Sequence, residues 1–228
     1  KKRHYLDYNA TTPLLPEAAQ AMRPYLEEQY GNPSSIHSWG RAARAAVDEA
    51  RYQLARLLGA QPREILFCSG GTEANNLAIF GAARAIARNR GNKHIVTCAT
   101  EHHSTLHPCK RLEEEEFDVT VLPVDSFGRL DPASLGGALR PDTILVSIMS
   151  ANNETGTLHP IREMGALCRS KGIVFHCDAI QSFGKEKVNV NEWNADLLTI
   201  AAHKFYGPKG AALLYARSGT PLQSLHLG

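Results

Sequence analysis

A lysine follows a strongly apolar run near the end of the sequence. Residues 197–201 are almost entirely apolar, and they lead directly into His203, Lys204 and a Gly-Pro turn. A lysine amine that is partly removed from water has a lowered pKa and becomes nucleophilic. Lys204 could therefore attack a carbonyl carbon, although a lysine in an ordinary surface loop would look similar. Lys209, beyond the turn, fits that surface alternative better.

A carboxylate ends another apolar run. Asp178 follows residues 173–177, which read as a buried strand. A buried carboxylate is unfavourable unless a cationic or protonated partner compensates it. A pyridinium nitrogen would be one such partner. The alternative is that Asp178 caps the turn that follows it, and the sequence leaves both interpretations open.

A glycine pair lies between a predicted strand and a predicted helix. Ser69, Gly70, Gly71 and Thr72 follow the apolar residues 64–68. The glycines let the backbone approach a ligand, Thr72 is a candidate helix cap, and the first N–H groups of a helix suit a phosphate. No Gly-Lys-Ser/Thr follows, which disfavours a nucleoside triphosphate. An ordinary strand-to-helix turn would have the same residues.

Taken together, these stretches offer a phosphate cradle, an acid for a ring nitrogen and a lysine for an aldehyde. Those are the groups needed to hold pyridoxal 5′-phosphate.

A metal site is a weaker alternative. His103 and His107 are spaced i,i+4 on a predicted helix with Cys109 nearby, and His176 and Cys177 precede Asp178. No His-Glu-x-x-His motif and no closed set of four ligands is present. We therefore expect no metal, and we expect His103 and His107 to be exposed or singly hydrogen-bonded.

The elements that position these residues alternate along the chain. Strands are predicted at residues 64–68, 94–98, 118–124, 143–149, 173–177, 197–201 and 211–215, and helices at 40–58, 73–90, 104–116, 131–139 and 161–170. Such alternation predicts an α/β fold with a mostly parallel sheet sandwiched by helices. Ligands of such sheets bind beyond the carboxyl ends of the strands, where the candidate residues lie. We expect one domain over residues 1–228 that includes an N-terminal helical segment.

Composition excludes several other classes of protein. The chain has 228 residues, 25 Lys and Arg against 23 Asp and Glu, and a net charge of +2, so we expect no nucleic-acid partner. No apolar run is long enough to span a bilayer, and no secretory signal follows the first residues, so we expect no membrane partner. Five scattered cysteines without a paired motif indicate a reducing, cytoplasmic location.

The sequence resembles the cysteine desulfurase and selenocysteine lyase family, which belongs to the fold-type-I pyridoxal phosphate enzymes related to class V aminotransferases. Seven stretches carry the resemblance in the family's order: residues 5–13, 30–35, 69–73, 100–102, 151–156, 178–181 and 203–210. The resemblance implies that residues 1–228 form the large, pyridoxal-phosphate-binding domain and that the family's C-terminal small domain is absent from this chain.

The resemblance also implies catalytic roles. Lys204 would bind the cofactor aldehyde covalently and later move the substrate's α-proton. Asp178 would pair with the pyridinium nitrogen. His102 would stack on the cofactor ring and take part in proton transfer.

Further residues would bind the cofactor, as the resemblance implies. Gly71, Thr72 and His203 would hold the phosphate, while Gln181 and Asn153 would contact the ring hydroxyl. Asn153 could also touch the substrate carboxylate. Ala201 stands where many desulfurases have a serine that contacts the phosphate, so one hydroxyl contact is missing here.

The activity implied by the resemblance is that of a cysteine desulfurase. It would convert L-cysteine to L-alanine and pass sulfur on as an enzyme persulfide to a sulfur-acceptor or scaffold protein, for iron–sulfur cluster or thiolation pathways. The family also implies a homodimer. None of the five cysteines matches the nucleophile's motif, and the substrate-carboxylate arginine lies in a region that this chain lacks, so the chain is expected to bind cofactor but not to desulfurate with its own thiols alone.

Three alternatives remain open. A selenocysteine lyase would act on L-selenocysteine, and a class V aminotransferase would need a keto acid and release no sulfur. A truncated cofactor domain, inactive by itself, would serve as an interaction surface.

Overall fold

A single sheet of seven strands organises the molecule. The computed structural model describes residues 3–227, apart from the side chains of residues 89 and 90. The strands are β1 (Ile65–Cys68), β2 (His94–Cys98), β3 (Asp118–Leu122), β4 (Thr143–Met149), β5 (Val174–Asp178), β6 (Leu197–Ala201) and β7 (Ala212–Ala216). Their spatial order is β1-β7-β6-β5-β4-β2-β3. β7 is antiparallel to both neighbours, and the other pairs are parallel. Six strands therefore share one direction, which confirms the mostly parallel sheet.

Helices cover both faces of this sheet. They are α1 (Pro16–Glu27), α2 (Ser38–Leu58), α3 (Gly71–Arg90), α4 (His103–Glu113), α5 (Pro132–Ala138) and α6 (Ile161–Ser170). One core lies between the sheet and α3 and α4, and the other lies between the sheet and α2, α5 and α6. All seven residues of β4 are buried, as expected for a strand covered on both faces. The α/β sandwich is therefore confirmed.

Close packing explains one glycine outside the site. A Cβ atom on Gly165, in α6, would lie 1.9 Å from the carbonyl oxygen of Trp193. Any side chain at this position would force α6 away from the sheet.

Most predicted elements agree with the structure within two residues, and the deviations have local causes. The strand predicted at 118–124 ends at Leu122, because Pro123 lacks the N–H that would continue the ladder. The helix predicted at 104–116 ends at Glu113, and Glu116 adopts a left-handed conformation with φ 64°. Asp131 caps α5, accepting from the N–H of Ala133 at 2.9 Å.

One helix and one cap differ from the prediction. Helix α1 was not predicted, although Pro16 stands at its first position, where proline is favoured. Helix α3 begins at Gly71 rather than at residue 73, and its cap residue is Gly70. Thr72 therefore lies inside the first turn, and its prediction as the helix cap was wrong.

None of the helices in the described part of the chain is long and apolar enough to cross a membrane.

Candidate active site

One cavity lies at the carboxyl edge of the sheet. It has a volume of about 260 Å³ and is reached by the residues that follow β1, β2, β4, β5 and β6. These strands share one direction, so their carboxyl ends meet at the same edge. All eight predicted site residues line this cavity: Gly71, Thr72, His102, Asn153, Asp178, Gln181, His203 and Lys204. Ala10, Ser104 and Ala201 also line it.

Lys204 lies in a short 3-10 turn, Ala202–Lys204, directly after β6. Its Nζ donates to the backbone carbonyl oxygens of Asn9, at 2.6 Å, and Ala10, at 2.9 Å. Burial and the positive charge of Lys185 lower the pKa of Lys204, while the carboxylates of Asp178, Asp7 and Glu154 act in the opposite direction. The amine is thus easier to deprotonate than that of a surface lysine, as a nucleophile requires.

The N-terminal segment fixes the turn that carries Lys204. Thr12 is buried, and its N–H and hydroxyl both donate to the carbonyl of His203 at 2.9 Å. The Thr12 hydroxyl oxygen also accepts from the N–H of Tyr206 at 2.8 Å. Tyr206 has a positive φ of 66°, an uncommon conformation for a residue with a side chain. Contacts 190 residues apart in sequence therefore hold the lysine turn in place, and sequence patterns could not reveal them.

Asp178 is buried at the end of β5, with 4% of its surface exposed. Its Oδ1 accepts from the N–H of Ile180 at 2.9 Å, and its Oδ2 accepts from Asn75 Nδ2 at 2.7 Å. Burial raises the pKa of Asp178, whereas these two hydrogen bonds and the charges of His102 and Lys204 oppose that rise. The carboxylate caps the next turn and also lines the cavity, so the two sequence interpretations are compatible.

The amino end of α3 closes one side of the cavity. A Cβ atom on Gly71 would lie 2.3 Å from Cδ1 of Ile180 and 3.5 Å from Cβ of Ala201. A side chain at this position would therefore require Ile180 to move. The first N–H groups of α3 have no partner within the helix, and with the helix dipole they favour an anion in the part of the cavity beside Gly71 and Thr72.

Two more predicted residues connect to the N-terminal segment. His203 Nδ1 lies 3.1 Å from the hydroxyl oxygen of Thr11. Burial and the charges of Lys204 and Lys209 lower the pKa of His203, which favours the neutral form of its ring. Gln181 donates from Nε2 to the carbonyl of Asn9 at 3.0 Å and accepts from Lys185 Nζ at 2.9 Å.

Asn153 also lines the cavity. Its Nδ2 donates to Glu154 Oε1 at 2.8 Å. The preceding Asn152 is buried and holds the loop instead, because its Oδ1 accepts from the N–H groups of Glu154 and Thr155.

Three polar residues near the cavity had no predicted role. Asn75 and Ser104 connect Asp178 to His102 through hydrogen bonds. Glu101 is buried, with Oε1 accepting from the N–H of Met149 at 2.6 Å and with Oε2 lacking a partner among the described atoms. Burial, and then the charge of Asp178, raise the pKa of Glu101 well above its usual range. Their position beside motif residues was the only signal in the sequence.

The cysteines are in the core and do not line the cavity. All five are buried and unpaired among the described residues, and Cys68 and Cys98 lie on strands of the core. Burial raises the pKa of Cys68 to about 11 and those of Cys109 and Cys168 to about 12. The pKa values of Cys98 and Cys177 are raised by burial too. A buried thiol of this kind is a poor nucleophile at neutral pH.

The histidines considered as metal ligands lie in other surroundings. His103 and His107 are exposed on α4, as predicted, with their rings stacked at 4.9 Å. His176 is buried between the hydroxyls of Ser147, at 2.8 Å, and Thr199, at 3.0 Å. No group of three or more His, Cys, Asp or Glu residues in the described ranges is arranged to hold a metal ion.

The chain is similar to known proteins over nearly all of its length. The family model of aminotransferase class-V matches residues 4–228. A cysteine desulfurase IscS from Dictyoglomus turgidum is 53% identical over 225 residues, which are 99% of this chain and 57% of that protein. Another IscS, from Anaeromyxobacter dehalogenans, is 51% identical over 214 residues, covering 93% of this chain and 52% of that protein. The chain thus spans little more than half the length of these curated relatives.

Solved structures show the same fold. A NifS-like protein superimposes with a TM-score of 0.96 at 36% identity, covering 100% of this chain and 62% of its own. SspA in complex with cysteine gives a TM-score of 0.93 at 38% identity, with 98% and 65% covered. Because the family match extends from residue 4 to residue 228, this chain belongs to the aminotransferase class-V family.

Proposed function

We propose that this chain is the cofactor-binding part of a pyridoxal-phosphate-dependent cysteine desulfurase. The observation that carries the proposal is the convergence of Lys204, Asp178 and the amino end of α3 on one cavity. The residues fit the cofactor chemically: an amine of lowered pKa suits an aldehyde, a buried carboxylate suits a pyridinium, and the space beside Gly71 suits a phosphate.

Different residues of the chain would bind different parts of the cofactor. Gly71, Thr72 and His203 would bind the phosphate, and Asp178 would keep the ring nitrogen protonated. Gln181 and Asn153 would contact the ring hydroxyl. When bound, pyridoxal phosphate supplies an electron sink for the α- and β-carbons of the substrate.

Two side chains would handle the substrate and its protons. Lys204 would accept the substrate's α-proton at Nζ, which its lowered pKa favours. His102 lines the cavity and would pack against the cofactor ring, where its imidazole can exchange a proton.

Cysteine is the substrate that the comparisons favour. Relatives about 50% identical are named cysteine desulfurases, and one similar structure was solved with cysteine. The overall conversion would transfer sulfur from L-cysteine to a thiol, which gives L-alanine and a persulfide. A selenocysteine lyase activity remains the alternative within the same site.

We further propose that the attacking thiol lies outside the described residues. All five cysteines are buried with raised pKa values, and none lines the cavity. This supports the expectation that residues 1–228 are the large domain and that a C-terminal small domain completes the site. The same proposal includes a homodimer in the cytoplasm. It also includes transfer of sulfur to an acceptor protein for iron–sulfur cluster assembly.

Product analysis tests the proposed activity. The chain loaded with pyridoxal phosphate would be given L-cysteine and dithiothreitol, whose thiol can replace the missing nucleophile. We expect L-alanine and sulfide in equal amounts, both absent with Lys204→Ala, and a lower rate on L-selenocysteine. Amino-group transfer to a keto acid without sulfide would contradict the proposal and favour an aminotransferase. Bound cofactor without any product would reduce the proposal to cofactor binding.

A further inference from the structure

A hydrogen-bonded path connects the buried acid of the site to His102. Asn75, on α3, has none of its surface exposed. Its Nδ2 lies 2.7 Å from Asp178 Oδ2 and 2.9 Å from Ser104 Oγ. Ser104 Oγ lies 2.8 Å from His102 Nδ1. Asn75 and Ser104 thus connect Asp178, which the proposed function places at the ring nitrogen of the cofactor, to His102, which it places against the ring.

The direction of these hydrogen bonds follows from the chemistry of the groups. An ionised carboxylate only accepts, so Asn75 must turn its amide nitrogen, and not its oxygen, toward Asp178. The second hydrogen of the same amide then points to Ser104 Oγ. This orientation leaves one polar atom unsatisfied, because Asn75 Oδ1 is buried without a hydrogen-bond partner among the described atoms.

A backbone N–H group determines which ring nitrogen of His102 carries the proton. The N–H of Ser104 donates to His102 Nδ1 at 3.1 Å, and a backbone N–H cannot accept. His102 Nδ1 therefore carries no proton, and the Ser104 hydroxyl, which already accepts from Asn75, donates to the same nitrogen. The proton of a neutral His102 ring must then be on Nε2.

We propose that Asn75 and Ser104 are positioning residues that fix His102 as the Nε2–H tautomer and tie its orientation to Asp178. His102 can then donate a proton or a hydrogen bond only from Nε2, while Nδ1 is held at the amino end of α4. The relevance for catalysis rests on the proposed function, but the tautomer itself is a property of the cofactor-free chain.

Histidine NMR of the cofactor-free protein tests the proposal directly. The ten histidines would be labelled with ¹⁵N, and His102 would be assigned by the loss of its signals in His102→Asn. We expect an unprotonated, hydrogen-bonded Nδ1 and a protonated Nε2 in the neutral ring. A wild-type His102 with its proton on Nδ1 would overturn the proposal.

Two substitutions each remove different hydrogen bonds of the path. In Ser104→Ala the backbone N–H remains as the only donor, so the Nδ1 signal should move toward that of a free ring nitrogen or show a fraction of the other tautomer. Asn75→Ala should cause a smaller change in the same direction. Ser104→Ala retains the backbone donor and introduces a good helix former, so it decides the question alone if Asn75→Ala does not fold.

Asn76→Ala is the matched control. Asn76 is the next residue on α3, and its amide donates to the carbonyl of Thr72 at 2.8 Å rather than to a member of the path. Its substitution should leave the His102 signals unchanged. Equal shifts in Asn76→Ala, or unchanged signals in both path variants, would show that the path does not position His102.

Cofactor titration gives a second readout. Asn75→Ala removes a hydrogen bond to a charged group, so the Kd for pyridoxal phosphate should rise about tenfold or more. Failure of the wild-type chain to bind cofactor would contradict the proposed function and leave the tautomer result intact. A normal Kd in Asn75→Ala would remove the proposed link to Asp178.

Discussion

Two backbone carbonyls accept hydrogen bonds from the amine of Lys204, and no carboxylate among the described residues does so. Carbonyl oxygens satisfy the hydrogen-bonding capacity of an ammonium group without neutralising its charge. Burial and the nearby Lys185 can therefore lower the pKa of Lys204. Because Lys185 itself donates to Gln181, one contact network sets both the reactivity of the lysine and the position of a cofactor-binding side chain.

Removal of the Lys185 charge should shift the pH dependence of cofactor attachment. In Lys185→Met the pKa of Lys204 rises, so covalent attachment of pyridoxal phosphate should need a higher pH, by up to about one unit. Absorbance titration across pH measures this. Lys187→Met is the control, because Lys187 is exposed and pairs with Glu192. An unchanged pH midpoint in Lys185→Met would contradict the account.

Ala201 offers a gain-of-affinity test. Its Cβ lies close to the space beside Gly71. Ala201→Ser would add a hydroxyl where a phosphate is expected, and a hydrogen bond to a charged group contributes about 1.5–3 kcal/mol. We expect the Kd for pyridoxal phosphate to fall about tenfold, as measured by fluorescence titration, whereas binding of pyridoxal without phosphate should not change. Equal effects on both ligands would argue against a phosphate at this position.

At the scale of elements, strands β4, β5 and β6 share a polar link inside an apolar core. His176 bridges Ser147 and Thr199 across these strands. Burial lowers the pKa of His176 to about 3. The ring is therefore neutral in the folded chain, whereas the unfolded chain takes up a proton at this residue below about pH 6.5.

This link should make the sheet sensitive to acid. A lowered histidine pKa means that the unfolded state binds more protons, so stability falls as pH decreases from about 6.5 toward 3, by a total on the order of 4 kcal/mol. His176→Gln keeps hydrogen-bonding groups and does not titrate. We expect the unfolding free energy in urea to fall less steeply between pH 6.5 and 4.5 for this variant. Parallel pH profiles for the two proteins would refute this explanation.

The sequence predicted these elements well because hydrophobic periodicity is local information. Strands β4 and β6 have the predicted bounds, since a continuous apolar run can only be a buried strand in this α/β pattern. Helix α1 was not predicted, because its sequence contains Pro24, a residue that disfavours the interior of a helix. The strand order and the reversed β7 depend on long-range pairing, which no local pattern encodes.

The site was predicted in part for a related reason. Lys204, Asp178 and Gly71 end or follow strong elements, so their common edge follows from the fold class. The contacts of Thr12 with His203 and of Asn75 with Asp178 join residues more than 100 positions apart. Such contacts become visible only when the chain is folded.

At the scale of the whole molecule, the first forty residues leave much apolar surface uncovered. Leu26 is 74% exposed, Ile36 90% and Trp39 61%. Large apolar side chains exposed to this degree are candidates for an interaction site. The same segment contributes Asn9 and Thr12 to the lysine turn, so a partner that covers it would also stabilise the site.

A homodimer that uses this surface can be tested in solution. We expect the chain to sediment as a dimer, and Ile36→Glu with Trp39→Glu to shift it to monomer, because charges within an apolar interface are unfavourable. Phe127→Glu is the control, since Phe127 is 80% exposed and lies far along the chain in another loop. Monomeric wild-type protein, or equal dissociation by Phe127→Glu, would contradict this expectation.

The central claim is that Lys204 binds pyridoxal phosphate in the cavity at the sheet edge, and peptide mapping tests it most directly. The protein would be mixed with pyridoxal phosphate, reduced with borohydride, digested and mapped beside Lys204→Ala. We expect visible absorption before reduction and the reduced cofactor on the peptide that contains Lys204, with both lost in the variant. Cofactor scattered over surface lysines such as Lys209, or unchanged binding in Lys204→Ala, would contradict the claim.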